Sequence, residues 1–432
     1  MSKNEVVKNR SLVVLGALLI QLSLGALYAW SVFTKPLVDL GWTQTQTQIV
    51  FAASLATFAI VMVLAGRWLP KLGPRKLAIS GGVLFGLGYI LAGLLGPTNF
   101  WVLLFCIGII SGAGIGLAYV VPIAVGMRWF PDKKGMITGL AVAGFGFGAM
   151  LWVKLAGTWG NMIDNWGLGL TFITYGVLFF GSVVVVGLWM LFPPEGWKPA
   201  GWEPPKADGV KPVAGTVDFE PSEMLHKPQF YMIFGAFLFS ASAGLMSIGL
   251  MKLFPSQALM AYGASSAQAS AIAGTAMAVF FSLANGWGRI GWGLMSDMTG
   301  RKIALVVMAA SQGVMMILFP FMAGVPALLF LAATIIGFNF GGNFALFPTI
   351  TADAFGNKYV GQNYGWVFLA YGVGGIFGPI LGGKMGDMGN FPMAFAVVGV
   401  LCLFSAVLIA MLKLPVKSTQ SVRVVEGMEP VH

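Results

Sequence analysis

The chain has 432 residues, 57% of them hydrophobic and only 9% charged, with a mean hydropathy of +0.84. Ordinary soluble domains carry about 25% charged residues, so this composition cannot coat a water-facing surface and excludes a string of soluble domains. The net charge of +10 lies in loops between apolar runs, not along one helix face, which excludes a nucleic-acid footprint and points to a membrane protein.

Lys3, Lys8 and Arg10 precede an apolar run ending at Phe33. That run is about twice the length of a signal-peptide core and lacks a small-residue cleavage site. It is long enough to cross ~30 Å of hydrocarbon and is expected to be a first transmembrane helix. Runs of spanning length then recur: 11–34, 47–69, 77–96, 100–127, 136–160, 168–192, 229–253, 268–294, 303–324, 326–351, 361–384 and 392–413. The pattern predicts an all-α membrane protein of twelve transmembrane helices in two six-helix halves, 1–192 and 229–432. Between them, 193–228 is rich in proline and charge and reads as a cytoplasmic linker. Ser222 and Glu223 are expected to open a short surface helix there.

Lysine and arginine set the orientation. With both termini inside, the cytoplasmic pieces hold Lys3, Lys8 and Arg10; Arg67, Lys71, Arg75 and Lys76; Arg128, Lys133 and Lys134; Lys198, Lys206, Lys211 and Lys227; Arg301 and Lys302; Lys358; and Lys413, Lys417 and Arg423. The positive-inside rule therefore puts both termini in the cytoplasm; the expected location is the cytoplasmic (inner) membrane. Lys35, Lys154, Lys252 and Lys384 fall near outer helix ends, where long stems can carry the charge to water. Arg289 alone falls deep within a span. Cys106 and Cys402 sit in apolar stretches without ligand spacing and read as packing residues.

The halves echo each other. Gly66-Arg-Trp-Leu-Pro-Lys-Leu-Gly73-Pro-Arg-Lys76 follows the second span, and Gly293-Leu-Met-Ser-Asp297-Met-Thr-Gly300-Arg-Lys302 follows the eighth. A weaker echo links Phe130-Pro-Asp-Lys-Lys-Gly135 with Phe355-Gly-Asn-Lys-Tyr-Val-Gly361. Duplicated halves with a site between them describe a rocking transporter.

The second of these loops resembles the signature between spans 2–3 and 8–9 of the major facilitator superfamily; in the first copy Pro70 stands where that family has aspartate. Tyr28-Ala-Trp-Ser-Val-Phe33, Arg128-Trp-Phe-Pro-Asp-Lys-Lys-Gly135 and Gly341-Gly-Asn-Phe-Ala-Leu-Phe-Pro348 resemble the oxalate:formate antiporter family. The stretch from Gly135 to Gly148 and the Asn285/Arg289 pair resemble animal monocarboxylate transporters. The resemblance covers nearly the whole chain and implies a carrier of small monocarboxylates of the lactate kind.

Arg289 stands eight residues before Asp297, the expected helix end, hence ~12 Å into the membrane at ~1.5 Å per residue. A charge at that depth costs ~2.5–3.5 kcal/mol on insertion scales. None of the fifteen acidic residues falls in the middle of a span, so its counter-ion is expected to arrive as substrate. The alternative is satisfaction by backbone carbonyls and water. A planar guanidinium meets a carboxylate with two parallel hydrogen bonds, and the resemblance assigns the arginine at this place in span 8 to anion binding.

Asn285 lies one turn earlier on the same face. It is expected to orient Arg289 or to bond a substrate hydroxyl or keto oxygen, unless it serves only helix packing. Tyr371 falls where the resemblance to oxalate:formate exchangers implies a lysine. A dicarboxylate wants two cations, so a single arginine favours a monocarboxylate; plain packing is the other role open to Tyr371. By resemblance Tyr28, Tyr119, Phe340 and Phe344 line the substrate path, with Asn339 and Asn343 as weaker candidates. Asp297, Arg301 and Lys302 are expected to latch helix ends in one conformation, a gating role. The glycines of span 5 and span 11 are expected to let helices approach and slide.

Lactate-like acids titrate near aspartate, about 3.9, and travel as anions. His226 and His432 lie outside the spans. Either a proton accompanies the substrate at Arg289, as the resemblance to proton symporters implies, or one anion exchanges for another. No metal, cofactor or nucleic-acid partner is expected; the partners are the carboxylate, H+ and the bilayer, and the carrier is expected to be a monomer. An enzyme finds no nucleophile with a base and no nucleotide loop, and a membrane sensor would need a soluble signalling domain.

Overall fold

The computed structural model describes residues 10–130, 134–194, 197, 199, 218–356, 359–413 and 415. Helices account for almost all of them, and no strand occurs among the described residues. In chain order the long helices are α1 (Arg10–Asp39), α2 (Gln44–Leu72), α3 (Pro74–Leu95), α4 (Phe100–Trp129), α5 (Lys134–Ala156), α6 (Met162–Gly187), α7 (Pro228–Leu250), α8 (Ser266–Thr299), α9 (Arg301–Met322), α10 (Pro326–Phe355), α11 (Val360–Asp387) and α12 (Phe391–Met411). Eleven of these are long and apolar enough to cross a membrane; in α5 the described apolar stretch is the shorter Val142–Ala156. Their outward faces carry large apolar side chains such as Trp101 and Phe321, 73% and 77% exposed, which only lipid would tolerate in such number. The chain is an all-α membrane protein.

Local chemistry explains where the helices begin. Thr43 caps α2 through a reciprocal pair, its hydroxyl accepting from Gln46 N at 3.0 Å while Gln46 Oε1 accepts from Thr43 N at 2.9 Å. Ser265 and Gln268 repeat the device at α8. The sequence echo has a structural counterpart: Gly73 and Gly300 turn the chain from α2 into α3 and from α8 into α9 at φ of +78° and +90°. A Cβ would meet nothing within 4 Å at either glycine, so backbone conformation and not crowding calls for glycine there.

Packing falls mostly within α1–α6 and within α7–α12, while α2 against α11 and α5 against α8 join the two groups. Small residues make those joints possible. A Cβ on Gly146 of α5 would stand 2.9 Å from Gly286 N of α8, and one on Gly372 of α11 would stand 2.7 Å from Ala59 Cβ of α2.

Several details depart from the sequence reading. Helix α8 runs on to Thr299, so Asp297 belongs to its last turn and Arg289 lies about one-half turn deeper than expected. The short helix near Ser222 forms as Pro221–Met224, with Glu220 N donating to Glu223 Oε2 at 2.9 Å. Lys35 pairs with Asp39 at 2.6 Å. Lys252, just beyond the end of α7, is half-buried; burial pushes its pKa down, Asp164 opposes this and the Lys35 charge adds to it.

Candidate substrate site

Helix α8 buries Arg289, 4% exposed, against aromatic rings from α5 and α10. Glycines around it allow the surrounding helices to close in: a Cβ on Gly288 would stand 2.0 Å from the Phe338 carbonyl oxygen of α10, and one on Gly341 would stand 2.2 Å from the Asn285 carbonyl oxygen. Asn285, one turn earlier and fully buried, accepts a long hydrogen bond of 3.4 Å from Arg289 Nε. Arg289 Nη1 and Nη2 and Asn285 Nδ2 are buried without a hydrogen bond of ordinary geometry among the described residues, although the Tyr28 and Tyr119 hydroxyls lie close enough to interact with the guanidinium. The ion pairs found among those residues, Lys35–Asp39 and Arg301–Asp297, leave Arg289 out.

Aromatic rings enclose this charge. The guanidinium carbon lies 4.1 Å from the centre of the Phe344 ring and 6.0 Å from that of Phe145. Phe340 meets Phe344 edge-on at 5.4 Å, and Tyr371 meets it at 5.6 Å. Tyr28 and Tyr371, from α1 and α11, hydrogen-bond through their hydroxyls at 2.9 Å. Tyr119 packs against Phe145 at 5.5 Å, and the hydroxyls of Tyr28 and Tyr119 both lie within the field of the guanidinium.

The structure therefore brings together Arg289, Asn285, Tyr28, Tyr119, Tyr371, Phe340 and Phe344. Asn339 and Asn343 are turned to helix packing. Asn339 Oδ1 accepts from Trp292 Nε1 at 3.2 Å and its Nδ2 donates to Ser311, while Asn343 Oδ1 accepts from Ser240 at 2.7 Å. The sequence reading missed Phe58, Phe145 and Phe368, which complete the shell around Tyr119 and Tyr371. A signal for Phe145 existed: it stands between Gly144 and Gly146, at which α1 and α8 approach α5 closely.

Asp297, Arg301 and Lys302 sit apart from this shell. Arg301 pairs with Asp297 within the α8–α9 turn and donates to Ser296 Oγ at 2.8 Å; Lys302 Nζ donates to the Leu412 carbonyl at the end of α12, 2.9 Å away. At the opposite end of the helices a second clasp joins α2 to α11 and α7, one the sequence reading missed. Asp387 accepts from Gln44 N at 2.6 Å, from Thr45 N at 3.0 Å and from the Thr45 hydroxyl. Gln48 Nε2 donates to the Gly249 carbonyl at 3.2 Å. Among the described residues no cluster of His, Cys, Asp and Glu could hold a metal ion.

Known proteins share both sequence and fold with this chain. Over 392 residues it is 29% identical to the oxalate:formate antiporter of Oxalobacter formigenes, a match spanning 90% of this chain and 87% of that one. Over 366 residues it is 25% identical to apicoplast pyruvate carrier 1 of Toxoplasma gondii, across 74% of this chain and 66% of that one. A bacterial homologue of the human lysosomal transporter Spinster, solved inward-facing and occupied, superposes with a TM-score of 0.66 over 93% of this chain and 96% of that one, at 17% identity. The sequence profile of the Major Facilitator Superfamily matches residues 13–281 and again 247–430. The chain belongs to the Major Facilitator Superfamily and is a multi-pass membrane transporter.

Proposed function

We propose that this protein is a secondary active carrier of small monocarboxylate anions of the lactate and pyruvate kind, in the cytoplasmic membrane. Two halves, 1–192 and 229–432, would rock about a site at their junction while 193–228 links them on the cytoplasmic side. The observation that carries the reading is that the buried Arg289 has no carboxylate partner among the described residues, and its Nη groups make no hydrogen bond of ordinary geometry there. A guanidinium stripped of water costs several kcal/mol unless hydrogen-bonded and neutralised. A carboxylate supplies two acceptors in the geometry of that fork. Asn285 Nδ2 and the tyrosine hydroxyls offer donors to a 2-hydroxy or 2-oxo group, and Phe340 and Phe344 a wall for a methyl. In a symport cycle the proton would travel with the bound acid. In proteoliposomes a panel of acids, with and without a pH gradient, should show lactate or pyruvate uptake. Arg289→Ala and Arg289→Lys should each abolish it; normal uptake by Arg289→Ala would end the proposal.

The 29% identity to an oxalate:formate antiporter supports a second reading, exchange of a dicarboxylate for a monocarboxylate. Tyr371 weighs against it, because a neutral phenol leaves a second carboxylate without a cation. Counterflow into oxalate-loaded vesicles separates the two.

A further inference from the structure

The geometry around Phe344 points to a property of the site beyond substrate binding, and the argument rests on the reading of Arg289 as the anion-binding residue. An alternating-access carrier passes through a closed form twice in each cycle. When it carries an anion, that anion neutralises the buried arginine. A carrier that returns without cargo must close over a bare guanidinium, and the cost of doing so decides whether it can return at all. Carriers that cannot are confined to exchange.

Phe344 meets the requirement for a substitute. Its ring faces the guanidinium at 4.1 Å, well within the ~6 Å over which an aromatic quadrupole attracts a cation, and Phe145 adds a second ring at 6.0 Å. Two aromatic neighbours pack against Phe344, Phe340 at an interplanar angle of 90° and Tyr371 at 65°. Arg289 is meanwhile tethered at Nε by Asn285. Attraction to a π face strengthens as water leaves, so it acts most where the charge most needs it. A π face takes up none of the N–H donors of Nη1 and Nη2, so ring and substrate do not compete for the same hydrogen bonds.

We infer that Phe344 serves as the counter-charge of Arg289 on the cargo-free half of the cycle, and that this lets the carrier perform net transport in addition to exchange. The residue would thus set the mode of coupling. Its neighbours Phe340 and Tyr371 act by fixing its plane.

The test compares two uptake rates of labelled lactate in proteoliposomes holding the full chain: into vesicles without internal substrate, which needs cargo-free return, and into vesicles loaded with unlabelled lactate, which does not. Changes in affinity enter both rates, so the ratio of net uptake to exchange is the readout. Phe344→Leu, which keeps apolar bulk without a π face, is expected to lower the ratio roughly tenfold or more, and Phe344→Tyr to hold it within about threefold. Phenylalanines of increasing fluorination at position 344 keep the shape while draining the π face, and should lower the ratio stepwise. A ratio unchanged in Phe344→Leu, or insensitive to fluorination, would overturn the inference, as would a native protein that exchanges lactate but gives no net uptake. A native protein carrying neither lactate nor pyruvate in either mode would remove the carboxylate reading itself, a failure visible before any variant is made.

Discussion

The hydroxyls of Tyr28 and Tyr371 meet at 2.9 Å, and through them α1 is bonded to α11 beside the buried guanidinium. Within this pair one hydroxyl spends its proton on the other, so a single O–H remains for a third group. A substrate oxygen next to the carboxylate is the natural claimant. Tyr28→Phe and Tyr371→Phe should each reduce the preference for lactate over propionate, which lacks that oxygen, by roughly fivefold, the worth of about 1 kcal/mol. The double variant should do no more than the worse single, because the pair works as a unit. Competition of the two acids for labelled lactate uptake measures it; additive losses would place the hydroxyls in separate roles.

Asn285 provides a charge test. Asn285→Asp sets a carboxyl one turn from Arg289, whose guanidinium favours the ionised form. The new anion takes the guanidinium for itself, so lactate binding by the purified variant at about pH 7 should weaken roughly tenfold or more, the worth of one hydrogen bond to a charged group. Lactate binding of native strength in the variant would mean that position 285 does not reach the charge.

Gly341 ties the fold to the site. A Cβ there would stand 2.2 Å from the Asn285 carbonyl oxygen and 3.1 Å from Arg289 N, so Gly341→Ala must push α8 and α10 apart where the guanidinium is anchored. Overpacking of this kind costs about 1–3 kcal/mol. A lowered melting temperature together with weaker lactate affinity is expected. Gly300→Ala, whose Cβ would touch nothing, should lower the melting temperature through its positive φ alone and leave affinity in place.

The clasp of Asp387 on the start of α2 predicts a shift in conformational balance. Its carboxylate accepts the first backbone amides of the helix, a charge-assisted contact at a helix N-terminus. Asp387→Asn should favour the form in which α2 and α11 part at that end. Spin labels at the exposed positions Leu40 and Met388 would report a larger share of long distances in the variant; an unchanged distribution would make the clasp a local cap.

The sequence made some of this legible and hid the rest for physical reasons. Spanning helices announce themselves because lipid demands uninterrupted apolar runs, and the paired loops at Gly73 and Gly300 because both need the same backbone turn. Arg289 is conspicuous as a lone deep charge, and Asn285 follows from helical spacing. Phe145 was hidden because one more aromatic in an apolar helix looks like core until its neighbours are known. Asp387 was hidden because its partners, Gln44 and Thr45, lie far away along the chain and two of the three donors are backbone amides, which carry no signature. Of the residues expected to latch helix ends, Asp297 and Arg301 pair within the α8–α9 turn, because spacing of four residues lets an ion pair close there, while the Arg301 charge also acts on Asp353 of α10 and Lys302 reaches the end of α12.

The whole account turns on whether the forked end of Arg289 is where a carboxylate lands. Titration calorimetry of the purified protein in detergent with lactate and with lactamide, its neutral analogue, asks this without the complications of flux. The native protein should bind lactate and not lactamide, and Arg289→Gln, folded by its melting curve, should bind neither. Lactate binding of native strength by Arg289→Gln would contradict the account, since the anion would then be held by some other group.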